Sequence, residues 1–136
     1  MDIYSDGGAR GNPGPAACAF VVLENGKVLH KEGKYLGKAT NNQAEYQGVI
    51  SALLWVAQFP ISNFQFPINF YLDSELVAKQ INGVYKVKDR NLKKLFSEVQ
   101  KIIGRLKTKI TFQNIPRTKN KPADFLVNET LDGFTS

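Results

Sequence analysis

One cysteine and one histidine stand among 136 residues, and both shortages narrow the chemistry. Cys18 alone cannot form an internal disulfide, and among small apolar neighbours it reads as a buried bystander, not a nucleophile. With His30 the sole imidazole, no Cys/His cluster is available to hold zinc. Long apolar runs are also missing. The longest, Val49–Ala57, falls well short of the roughly 20 residues a membrane helix needs. No basic-then-apolar leader opens the chain, so the expectation is a cytoplasmic protein with no membrane partner. Linkers, repeats and low-complexity tracts are lacking too, which suits a single domain over residues 1–136, with a monomer as the default.

What is present can fill a core: 43% of residues are hydrophobic, with nine Phe and five Tyr, which argues against disorder. The net charge of +6 is unevenly placed. Residues 86–109 carry nine basic residues (Lys86, Lys88, Arg90, Lys93, Lys94, Lys101, Arg105, Lys107, Lys109) against Asp89 and Glu98. Such clustering is the footprint of a polyanion partner, although a solvated helix face has the same composition.

Residues 2–6 predict a strand. Ala16–Leu23 and Lys27–Leu36 predict two more, joined by a tight turn at Asn25-Gly26. Thr40-Asn41-Asn42 offers caps for a helix running to about Gln58. Ile68–Leu72 predicts a strand and Ser74–Ile81 a short helix. From Asp89, apolar residues recur with helical period to Leu106. Lys109–Ile115 predicts a last strand, and a helix with Pro122 in its first turn spans about 121–131. The fold class is therefore α/β, a mixed sheet with helices on its faces, whose sites form beyond the carboxyl ends of parallel strands.

Four carboxylates fall in awkward places. Asp6 and Asp73 are placed at strand ends, where turn bonding or helix capping is the ordinary role. Glu45 lies one turn before Val49 on the apolar stripe of its helix, and Asp124 starts the inward stripe continued by Val127 and Leu131. Desolvating an acid is costly without a partner, although either could serve a helix N-terminus. Four acids brought to one sheet edge would repel and raise one another's pKa values. Hard divalent cations relieve that repulsion, and beside a basic segment they suggest metal-assisted chemistry on a phosphate backbone.

The runs YSDGGARGNPGPAACAF, TNNQAEYQGVISAL, FYLDSELVAKQINGVYKVKDRNLKKL and IPRTKNKPADFLVN together resemble type 1 ribonuclease H, over nearly the whole chain and in order. The resemblance implies a ribonuclease H-like fold: a five-stranded mixed sheet with strands 1–3 antiparallel and strands 4–5 parallel. It implies endonucleolytic cleavage of the RNA strand of RNA–DNA hybrids, leaving 5′-phosphate and 3′-hydroxyl ends. The family's acidic ligands carry onto Asp6, Glu45, Asp73 and Asp124, holding two Mg²⁺ ions about 3.5–4 Å apart, with Mn²⁺ a possible substitute. In that scheme Asp6 bridges both ions, Asp124 serves the ion that activates water, and Glu45 and Asp73 serve the ion at the leaving oxygen. Gly7, Gly8 and Gly11 would admit a sugar–phosphate backbone, Asn12, Asn41, Asn42 and Gln43 match positions near the hybrid in the family, and Thr40 and Asn41 would help hold a DNA phosphate. The Asn41-Asn42 pair also suits helix capping, and both roles can coexist.

Two departures accompany the resemblance. Many members carry a histidine on the loop before the last acid, where this chain has Arg117-Thr118-Lys119-Asn120-Lys121. Arg117 can act electrostatically there, as in the archaeal-type group, but cannot shuttle a proton at neutral pH. The basic helix inserted in some bacterial members is absent, leaving Lys86 and Lys88 to contact phosphate. The rival readings are a transposase, integrase or reverse-transcriptase-linked nuclease domain, a catalytically silent nucleic-acid binder, and a purely structural domain. With the chain starting at its first strand and ending soon after its last helix, a larger polyprotein is not expected.

Overall fold

The strand Gly14–Glu24 (β2) shows how the sheet is sandwiched. Its side chains alternate, sending Phe20 and Val22 into one apolar core and Ala17 and Ala19 into another. The computed structural model describes residues 1–60 and 67–135. Around β2 it places Asp2–Ala9 (β1), Lys27–Ala39 (β3), Ile68–Leu72 (β4) and Ile110–Asn114 (β5) in one sheet of order β3-β2-β1-β4-β5. β1 is antiparallel to β2 and β2 to β3, whereas β4 runs parallel to both β1 and β5. Asn25 and Gly26 both take positive φ, 52° and 75°, as the tight β2–β3 turn demands.

The helices are Asn41–Ala57 (α1), Glu75–Ile81 (α2), Arg90–Leu106 (α3) and Lys121–Thr135 (α4). The larger core gathers Val49, Leu53 and Val56 of α1 against Ile3, Phe20 and Phe70 of the sheet. α3 packs outside α1, burying the narrow stripe Leu92, Val99 and Ile102. Each such side chain contributes about 1.5–3 kcal/mol when fully buried. All nine basic residues of 86–109 are left exposed. On the opposite face, Val127 and Leu131 of α4 close over Ala17 and Ala19. Cys18 is buried near the Ser51 hydroxyl, and burial pushes its thiol up to about 11, as suits an inert side chain.

The structure departs from the sequence reading at several boundaries; β2 begins at Gly14 and β3 runs on to Ala39. β1 continues past Asp6 to Ala9, because Gly7, Gly8 and Ala9 pair with Cys18, Ala17 and Ala16. Asp6 therefore lies within a strand, although the parallel pairing of β1 with β4 does stop at Ser5. α4 runs beyond residue 131, where Phe134 stacks on Tyr35 with ring centroids 4.5 Å apart. A 3₁₀ turn at Arg117–Lys119, unforeseen from the sequence, precedes α4.

Candidate active site

Two glycines bring α1 down onto β1. A Cβ on Gly7 would run into the Ala44 carbonyl, and one on Gly48 would stand 2.7 Å from the Asp6 carbonyl oxygen. The close crossing sets Glu45 beside Asp6; they are 7% and 4% exposed. Glu45 lies more than a turn inside α1, so helix-end electrostatics do not explain it. Capping of α2 falls to Ser74, whose hydroxyl accepts the Val77 amide at 3.2 Å. Asp73 is thereby released to face the other acids. Asp6, Glu45 and Asp73 each offer an oxygen within 4.8 Å of the others.

This proximity is electrostatically unfavourable. Burial lifts the Asp6 carboxyl to about 6, with the Asp73 and Asp124 charges adding, while its contacts with Glu45 and the Gly7 amide oppose the rise. Burial and then the Asp6 charge push Glu45 well above the usual carboxylate range. Burial also raises Asp73, against the Asn120 amide and the Arg117 charge. The Gly7 amide donates to Asp6 Oδ1 at 2.9 Å, but Glu45 Oε2 is buried with no hydrogen-bond partner among the described residues. An orphaned carboxylate oxygen within a triad of hard oxygen donors fits a divalent cation. His30 does not join the group; it stacks on Trp55 and pairs with Glu32.

Asp124 stands outside the triad. It is half-buried in the first turn of α4 and, with Asp6, Gly7, Gly8, Asn41 and Arg117, lines an open cleft of about 120 Å³. Its charge raises the pKa of both Asp6 and Asp73. Thr40, Asn42, Gln43 and Asn12 line a second hollow of about 220 Å³, together with Asp89, Asn91 and Leu92. Thr40 and Gln43 also form a reciprocal cap on α1: Thr40 Oγ1 accepts the Gln43 amide at 3.1 Å, and Gln43 Oε1 accepts the Thr40 amide at 2.9 Å. Asn12 Oδ1 accepts the Asn41 amide and Asn41 Oδ1 accepts the Ala9 amide, tying the β1–β2 loop to the start of α1. Lys86 and Lys88 line neither hollow; both are exposed, in the segment that leads to Asp89. Gly11, at φ +97°, serves the turn conformation, while a Cβ on Gly8, which lines the cleft, would rest in ordinary contact with Val127 Cγ1 at 3.8 Å.

A family model described as reverse transcriptase-like matches residues 4–130. LC11-RNase H1, isolated from compost and crystallised in complex with an RNA/DNA hybrid, is 42% identical, covers 99% of each chain and superposes with a TM-score of 0.94. The chain belongs to the type 1 ribonuclease H family. RNase H1 of Halobacterium salinarum has a solved structure 37% identical to this chain, with 97% of each chain covered and a TM-score of 0.86. The ribonuclease HI sequence of that archaeon is 39% identical over 131 residues, 95% of this chain but 63% of the relative. A bifunctional protein of Mycobacterium tuberculosis is 36% identical over 132 residues, and the chain spans only 35% of its length. Within this type 1 ribonuclease H fold, two residues escaped the sequence reading. Gly48 has no turn signal around it, and Asn120, just before a Lys-Pro helix start, looks like an ordinary cap.

Proposed function

We propose that this chain is an endoribonuclease that hydrolyses the RNA strand of RNA–DNA hybrids, leaving 5′-phosphate and 3′-hydroxyl ends. The observation that carries the reading is the convergence of Asp6, Glu45 and Asp73 from β1, α1 and the end of β4, each with an oxygen within 4.8 Å of the others. Asp6, Glu45, Asp73 and Asp124 would hold Mg²⁺, or Mn²⁺ in its place. Bound there, the metal supplies charge neutralisation at phosphorus and activation of water for in-line attack. The chain itself orients the ligands: the Gly7 amide fixes Asp6, and the Gly7–Gly48 crossing fixes Glu45. Arg117 adds positive charge at the cleft and favours the ionised form of Asp73.

The hybrid would lie across both hollows. Gly8 lines the first hollow without side-chain bulk, and Asn12, Asn41, Asn42, Thr40 and Gln43 would present polar groups to sugar edges. RNA offers 2′-hydroxyls in a shallow minor groove, which is the basis for choosing the RNA strand. Lys86, Lys88 and the exposed lysines of α3 would meet phosphates. The relative crystallised with an RNA/DNA hybrid supports this class of substrate. We read residues 1–136 as one domain acting as a monomer. Among the described residues no helix is long and apolar enough to cross a membrane.

The test is incubation with labelled RNA–DNA hybrid, duplex RNA and duplex DNA, in Mg²⁺, in Mn²⁺ and with chelator. Metal-dependent cutting confined to the RNA strand of the hybrid supports the reading. Hybrid binding without cutting in either metal would select a silent binder instead.

A further inference from the structure

Asn120 is fully buried in the loop between the 3₁₀ turn and α4. Its side-chain amide donates to the Ser5 carbonyl at 2.8 Å and reaches Asp73 Oδ2 at 3.4 Å. Its main-chain carbonyl accepts the Asp124 amide at 3.1 Å. One residue thus touches the strand position before Asp6, the Asp73 carboxylate itself and the backbone that carries Asp124. We propose that Asn120 is a positioning residue of the carboxylate site, its amide orienting Asp73 toward Asp6 for divalent-cation binding. The inference rests on the metal-dependent reading above.

The chemistry calls for an amide. Both groups that Nδ2 meets are acceptors only, so the network sets which end of the side chain points inward. A carboxylate at this position would oppose acceptor to acceptor and add a further negative charge beside Asp73. A capping asparagine would accept helix amides through its side-chain oxygen. Asn120 Oδ1 instead has no hydrogen-bond partner among the described residues. Leaving that oxygen buried and unpaired is unfavourable, and an apolar residue would fill the same space without the cost. What the amide adds is a donor aimed at Asp73 and a tether to β1. Residues that hold a metal-binding carboxylate in place commonly change metal affinity 10–100-fold when removed.

The experiment is calorimetric titration of Mg²⁺ and of Mn²⁺ into the full chain and into Asn120→Ala, Asn120→Ser and Ser5→Ala. Hybrid cleavage is followed in parallel across metal concentration. Asn120→Ala should bind either ion about tenfold more weakly, and Asn120→Ser, which keeps one donor, should fall between it and the parent. Ser5→Ala retains the carbonyl and should bind metal like the parent. The half-saturating metal for cleavage should rise with the calorimetric constant, while the KM for hybrid stays within about twofold. If Asn120→Ala does not fold, Asn120→Ser carries the comparison. Parent-like metal affinity in a folded Asn120 variant overturns the proposal. So does loss of folding in both Asn120 variants while Ser5→Ala folds, since that assigns Asn120 to the fold alone. A parent protein that takes up neither ion overturns the metal reading itself, which separates the two failures.

Discussion

Asp6 couples the proposed chemistry to stability. In the folded, metal-free chain its carboxyl keeps a proton to about pH 6, whereas the ordinary value is 3.8. The native state therefore binds more protons than the unfolded chain between those values, and stability falls as pH rises through that window. Asp6→Asn should remove this penalty, raising the melting temperature in chelator at pH 8 more than at pH 4.5. It should also abolish hybrid cleavage while leaving hybrid binding intact or improved, as a gel-shift assay would show. Equal melting shifts at both pH values would contradict the linkage. Arg117 makes a second case. It is exposed, faces the same cleft and acts on Asp73 through its charge. Arg117→Ala should slow cleavage by about tenfold, the loss of roughly 1.4 kcal/mol of transition-state stabilisation. An unchanged single-turnover rate would remove its role. The inward placement of Glu45 was legible from its spacing to Val49. Which group caps α2 was not, because Asp73 and Ser74 are chemically equal candidates until backbone geometry chooses Ser74.

At the scale of elements, the site depends on one helix–strand crossing. Gly48 allows α1 to approach the Asp6 carbonyl, and a methyl there would meet backbone, which has little room to give. Gly48→Ala should cost about 1–3 kcal/mol in thermal or urea unfolding. Metal affinity should fall further than stability predicts, because the helix that moves carries Glu45. A variant destabilised by that amount with metal binding unchanged would show that the crossing does not set the site. Several element boundaries were readable from local signals: the Asn25-Gly26 turn, the Thr40 cap, and the apolar period of α3. The extension of β1 to Ala9 was hidden because Gly7 and Gly8 look like turn residues. Pairing with Cys18 and Ala17 overrides that local preference.

Across the whole molecule, charge and carboxylates occupy different regions. The basic residues of 86–109 are exposed on and around α3, whose first turn, through Asn91 and Leu92, lines the hollow shared with Asn12 and Thr40. Hybrid affinity should therefore fall steeply with salt, by a slope of about −0.7 to −0.9 per phosphate contact. Replacing Lys86 and Lys88 by Ala should flatten a plot of log affinity against log salt by about one unit per lost contact. A flat response in the parent protein would disconnect the basic face from binding. The sequence alone determined the order and type of the elements, the inward-facing acids and the basic segment, since periodicity, caps and composition act over a few neighbouring residues. Only the tertiary structure decided that Asp6, Glu45 and Asp73 meet while Asp124 stands at the cleft beside them, and that Asn120 links their supporting segments. Those relations join residues up to 115 positions apart, Ser5 to Asn120. Their distances depend on how closely a helix may lie on a strand, which no local pattern encodes.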